Sequence, residues 1–125
     1  MAEETGEFAR VRDLMREFVD ERDWDQFHTP KNLAAALSVE AAELLEHFQW
    51  LQHGRADELG PEKLVQVRHE MADVLLYLVR IADKLDVDLM GAVQEKMVLN
   101  RAKYPAERVR GDSRKYHEYK SESDQ

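Results

Sequence analysis

Two acid spacings in this 125-residue chain could do chemistry. Glu40 and Glu43 stand three apart in "SVEAAELLEHFQW", and Glu70 and Asp73 stand three apart in "RHEMADVLLYLVR". Residues three apart on a helix are neighbours on one face. Four carboxylates gathered at a partly desolvated rim would repel, and some would be driven to protonate. A divalent cation removes that penalty. Oxygen-only donors select a hard ion, Mg²⁺ first, with Mn²⁺ or Ca²⁺ next. A single acid pair of this kind is ordinarily a solvated face, so a shared site requires both pairs to meet.

Helical angles put them on matching margins. Each residue advances a helix by ~100°. With Glu40 at zero, Leu33, Leu37, Ala41, Leu44, Leu45, Phe48 and Leu51 fall within roughly +20° to +140°, and Glu43 at roughly −60°. With Glu70 at zero, Leu64, Val67, Met71, Val74, Leu75, Leu78, Ile81 and Leu85 fill roughly the same sector, and Asp73 lies at roughly −60°. Glu46 points to the solvent side and serves as an ordinary surface acid. His47 and Tyr77 each fall at roughly −20°, on the acidic margins.

Further residues could serve a ligand. Within the apolar sector of a later helix lies Asn100, with Lys96 on its edge. A buried asparagine needs partners and a half-buried lysine needs an anion, and phosphate would serve both. A snorkelling lysine beside an asparagine bonded to a loop carbonyl is the plainer alternative. Tyr77 is one turn beyond Asp73, Trp50 follows Glu43 by two turns, and Trp24 and Phe27 precede the first acid pair. Their rings could stack on a base or fill core and subunit contacts.

Four helices must position these groups. The first is expected from about Glu7 to Arg22, with Phe8, Val11, Met15 and Phe18 at helical spacing. Thr29 and Pro30 suit the N-cap and first turn of the second, expected to reach His53 before Gly54. Pro61 suits the start of a third helix ending near Leu85. A fourth starts at Asp86 or Asp88 and ends before Pro105. No strand-like alternation occurs. The expected fold is all-α, a four-helix bundle over 1–110 with a polar, partly disordered tail over 111–125.

Composition narrows the function classes. Hydrophobic residues at 43% and charged residues at 35% fit a soluble globular domain. The net charge of −8 argues against binding nucleic acid polymers. No apolar run approaches the roughly 20 residues that span a bilayer, so no membrane partner is expected. The absence of cysteine excludes disulfides and thiolate metal sites and makes the cytoplasm the simplest home.

Ordered matches across the chain now point to one family. "ERDWDQFHTPKNL", "EAAELLEHFQW", "EMADVLLYLV", "KMVLNRAKYP" and the late "SRKY" make the chain resemble the all-α, MazG-like nucleoside triphosphate pyrophosphohydrolases. Within them it is most similar to the dCTP pyrophosphatase branch, from about Phe8 to Tyr116. The resemblance implies hydrolysis of a nucleoside triphosphate to monophosphate and pyrophosphate, on dCTP or other and modified dNTPs, as nucleotide-pool cleaning. It implies Glu40, Glu43, Glu70 and Asp73 as metal ligands, with Glu40 or Glu43 also handling the proton of the attacking water. Lys96 and Asn100 would hold phosphate oxygens, and Trp24, Trp50 and Tyr77 the base. A homotetramer, built as a dimer of dimers, is the implied assembly. Val39 stands where the wider family often has a further glutamate, and Met15 where the dCTP branch has a pocket histidine.

Two other classes share the bundle. A di-iron carboxylate protein needs paired Glu-x-x-His motifs. Here His47 is four residues after Glu43, and His69 directly precedes Glu70. A non-catalytic partner-binding module would bind without turnover and keep binding without its acids.

Overall fold

Thr29 and Pro30 open the helix that carries the first acid pair. In the computed structural model, Thr29 Oγ1 accepts from the Asn32 backbone N–H at 3.1 Å, and Pro30 enters the first turn, where its missing donor costs nothing. The structure describes residues 5–113. The expected disordered tail beyond 113, with most of "SRKY", lies outside them. In order come α1 (Glu7–Glu21), a 3₁₀ turn (Asp25–Phe27), α2 (Pro30–Glu46), α3 (Ala56–Leu85), α4 (Leu89–Lys103) and α5 (Ala106–Val109). Every element among the described residues is helical, so the all-α expectation holds. No described helix is long and apolar enough to cross a membrane.

Two helix ends differ from expectation. Helix α2 stops at Glu46, well before His53. His47 N–H bonds Leu44 O and Phe48 N–H bonds Leu45 O, each three residues back, which tightens and closes the last turn. Helix α3 begins at Ala56, not Pro61, because Glu58 Oε2 accepts from Arg55 N–H at 2.7 Å and caps an extra turn. Gly60, at φ 79° and ψ 165°, kinks the chain there, and Pro61 starts the long run as the sequence suggests. Of the two expected starts of α4, Asp86 takes a left-handed conformation, φ 53°, and closes α3, and Asp88 immediately precedes Leu89, where α4 begins. Helix α4 ends at Lys103, before Pro105 as expected.

Gly54 turns the chain from α2 towards α3. Its φ of +78° is left-handed, and an added Cβ would sit 2.7 Å from Phe48 Cδ1. Left-handed backbone costs an L-residue about 1–2 kcal/mol before any displacement of the ring. Gly54→Ala should therefore melt several degrees below the parent in a thermal scan. An unchanged melting temperature would mean that the turn relaxes freely.

The described residues form two compact units, divided in sequence between Leu89 and Met90. In the first, α3 packs on α2 and α1. Its core joins Ala9, Met15 and Val19 of α1, Leu33 of α2, and Val67, Val79 and Ala82 of α3. The apolar stripe expected on α3 is only partly covered. Val67 is buried, while Met71 is 57% exposed and Leu78 and Leu85 are also exposed. Burial extends past the predicted sector to Val79, at roughly 180°, while Ala82, at roughly +120°, is buried within it.

Candidate metal centre and adjoining cavity

Packing of α2 on α3 brings three of the expected acids together. One oxygen each from Glu40, Glu43 and Glu70 lies within 4.8 Å of the other two. Glu40 Oε2 and Glu70 Oε2 are shut off from solvent with no hydrogen-bond donor. Burial first, and then the neighbouring Glu70, Glu43 and Asp73 carboxylates, together lift the Glu40 carboxyl to about 7. Enclosed carboxylate oxygens without donors, gathered this closely, are the donor set a hard divalent cation satisfies. Asp73, the next acid along α3, faces the same cavity as Glu40 but is outside the three-oxygen group. Glu46 is exposed, as its helical angle requires.

Beside the acids lies a cavity of about 410 Å³, lined by Leu14, Met15, Phe18, Trp24, Glu40, Asp73, Leu76 and Tyr77. Trp24 meets Phe18 edge to face, with centroids 5.7 Å apart at 73°. Burial pushes the Tyr77 hydroxyl above its ordinary value, and the charges of Glu40, Asp73 and Glu43 add to this. One end is therefore anionic and the walls are apolar and aromatic. Such a space suits a ligand with a flat ring and an anionic arm joined to the protein through a cation.

The other predicted residues fall elsewhere. Trp50 follows the end of α2, is 88% exposed and is not among the cavity-lining residues. Lys96 is exposed and Asn100 half-buried, both on α4 in the second unit. His47 Nδ1 is enclosed without a hydrogen-bond partner. Leu14 and Leu76 also line the cavity, although neither was among the expected core residues.

A second polar cluster escaped the sequence reading. Arg80 donates from Nε to His28 Nδ1 at 3.2 Å, from Nη1 to Asp83 Oδ2 at 3.1 Å and from Nη2 to Asp25 Oδ1 at 2.6 Å. Asp83 also accepts from Arg16 Nε at 2.8 Å, and Asp25 from Lys84 Nζ at 2.8 Å. Hydrogen bonding to Arg16 holds Asp83 below the usual carboxylate range, and the Lys84 bond does the same for Asp25. Burial, then the Arg80 charge, pushes His28 below its ordinary value. The available signal was an arginine embedded in the apolar run "VLLYLVRIA".

A family model described as MazG-like matches residues 35–119, which contain all four acids and most of the helical chain. The chain belongs to the MazG-like family. Among its relatives, human dCTP pyrophosphatase 1 is 47% identical over 110 residues, covering 86% of this chain and 65% of that protein. The rat dCTP pyrophosphatase 1 is 44% identical over 108 residues, covering 85% and 64%. The chain thus spans somewhat less than two thirds of these curated relatives. A pyrophosphatase of Archaeoglobus fulgidus, solved as a crystal structure, matches with a TM-score of 0.67 and 40% identity, covering 84% of this chain and 98% of that one. The MazG-like match starts at position 35, so Met15 and Trp24, which also line the cavity, lie before it.

Proposed function

We propose that this chain is a divalent-metal-dependent nucleoside triphosphate pyrophosphohydrolase that splits dCTP or other and modified dNTPs into monophosphate and pyrophosphate. The observation that carries this reading is the convergence of Glu40, Glu43 and Glu70 within 4.8 Å beside an aromatic-walled cavity. The dCTP pyrophosphatase relatives support the substrate class. Glu40, Glu43, Glu70 and Asp73 would hold the cation, Mg²⁺ first and Mn²⁺ as its substitute. When bound, that ion neutralises phosphate charge and polarises the attacked phosphoryl group. A carboxylate oxygen of Glu40 or Glu43 takes the proton of the attacking water. The water oxygen bonds to the α phosphorus, and the bridging oxygen leaves with pyrophosphate. Trp24 and Tyr77 stack on or flank the base, and Lys96 and Asn100 bind phosphate oxygens. Trp50, with its exposed ring, contacts the nucleotide or a neighbouring copy. A di-iron centre is disfavoured because the clustered donors include no histidine.

Met15 and Leu14 give the pocket an apolar wall, so the base is selected by stacking and shape more than by hydrogen bonds. Exposed Met71, Leu78, Val98 and Leu99 support a homo-oligomer, for which we propose a tetramer, a dimer of dimers, acting in the cytoplasm as a nucleotide-pool cleaner. Pyrophosphate release across a panel of canonical and modified dNTPs tests the activity. Turnover with Mg²⁺ that stops on chelation is expected. No pyrophosphate from any dNTP would overturn the reading. Asp73→Asn should lower kcat/KM by about tenfold or more, and normal hydrolysis by that variant would remove Asp73 from the site.

A further inference from the structure

Arg80 is a charged side chain buried in a helix core, 4% exposed. A buried guanidinium is tolerated when its donors are matched, and three of those here have acceptors. Asp83 lies on its own helix. Asp25 is the first residue of the 3₁₀ turn that follows Trp24, and His28 caps its end, so the two bracket Gln26 and Phe27. Upstream, Trp24 is tied by its N–H to Val19 O at 3.1 Å and by its edge-to-face contact with Phe18. Downstream, the turn is gripped by Arg80, with Lys84 adding a second cation on Asp25.

Arg80 also shares an edge with the acids. With Glu70 at zero, Asp73, Tyr77 and Arg80 lie at roughly −60°, −20° and −80° on α3. One helix edge therefore bears the carboxylates, the Tyr77 part of the cavity lining and the grip on the turn that follows Trp24. We propose that Arg80 is a positioning residue: its guanidinium, held between Asp83 and the Asp25–His28 turn, fixes the Trp24 wall of the cavity relative to the carboxylates of α3. Its effect on nucleotide rests on the pyrophosphohydrolase reading above.

A preset wall spares the nucleotide the cost of ordering it on binding. Loosening the wall weakens ground-state and transition-state binding alike, so KM rises while kcat stays. Lys84 can still hold Asp25 but has no bond to His28, so the loss is partial. Lysine at position 80 offers no planar fork to reach the three acceptors, so Arg80→Lys does not restore the parent.

The test combines kinetics with a direct report on the wall. Arg80→Gln and Asp25→Ala are assayed with dCTP and Mg²⁺, and acrylamide quenching of Trp24 is read in a Trp50→Phe background, where it is the one remaining tryptophan. The Asp25 side chain is 61% exposed, so its replacement decides the matter should Arg80→Gln not fold. KM for dCTP should rise about tenfold with kcat within about twofold of the parent, and quenching of Trp24 should increase in both variants. Unchanged quenching, or a fall in kcat at constant KM, overturns the positioning role. A parent protein that hydrolyses no dNTP defeats the hydrolase reading by itself, and the quenching result then decides the clamp alone.

Discussion

Glu43→Gln should release pyrophosphate at least about a hundredfold more slowly than the parent, while its metal-free form should melt at a higher temperature. Both results come from one cause. Glu40, Glu43 and Glu70 crowd their oxygens within 4.8 Å, and two of those acids carry enclosed oxygens without donors. Without a cation this arrangement is repulsive, and Glu40 shows the strain by holding its proton up to about 7. A neutral amide at position 43 removes one charge and supplies an N–H donor to its neighbours. Stability therefore rises as function is lost, the trade expected where a site is kept strained for binding. Glu46→Gln is the control. It lies outside the cluster, is exposed, and should leave both rate and melting temperature close to parental values. Should Glu43→Gln hydrolyse dNTPs normally, the cluster is not the reaction centre.

The acid margins were legible because helical geometry is strict. A spacing of three at positions 40/43 and 70/73 leaves little freedom once α2 lies on α3, and Thr29 and Pro30 announce the start of α2 by their own chemistry. Other features depend on packing that periodicity does not encode. Met71 and Leu78 look like core on a helical wheel yet are exposed, while Val79, outside the predicted sector, is buried. The end of α2 at Glu46 is set by bonds to carbonyls three residues back and by the fit of Phe48 against Gly54, neither of which has a composition signal. Arg80 stands inside its apolar run, which marks it as unusual but names no partner. Its partners Asp25 and His28 lie more than 50 residues earlier in the chain, a pairing only the fold reveals. Trp50 shows the opposite failure: close in sequence to the acids, it is highly exposed and absent from the cavity wall.

Acidification should stabilise the metal-free protein relative to Glu40→Gln. Glu40 titrates near 7 when folded and near 4.5 when unfolded. Between those values the folded chain binds more protons, so this group destabilises the fold above 7 and ceases to do so as pH falls towards 4.5. His28 works the other way, because its folded value is depressed and its contribution is lost as pH falls through the histidine range. Asp25 and Asp83 are depressed below 3.8 and act only in stronger acid. Comparison with Glu40→Gln cancels these other groups. The parent should lie several degrees further below that variant at pH 8 than at pH 5.5 in chelator. Saturating Mg²⁺ should erase the difference in trend, since a bound cation keeps Glu40 ionised and proton binding competes with it. Measured by calorimetry, Mg²⁺ affinity should accordingly weaken by up to about tenfold for each pH unit below the Glu40 titration. Parallel melting curves for parent and Glu40→Gln across this range, with a pH-independent Mg²⁺ affinity, would show that Glu40 carries neither the burial nor the crowding described here.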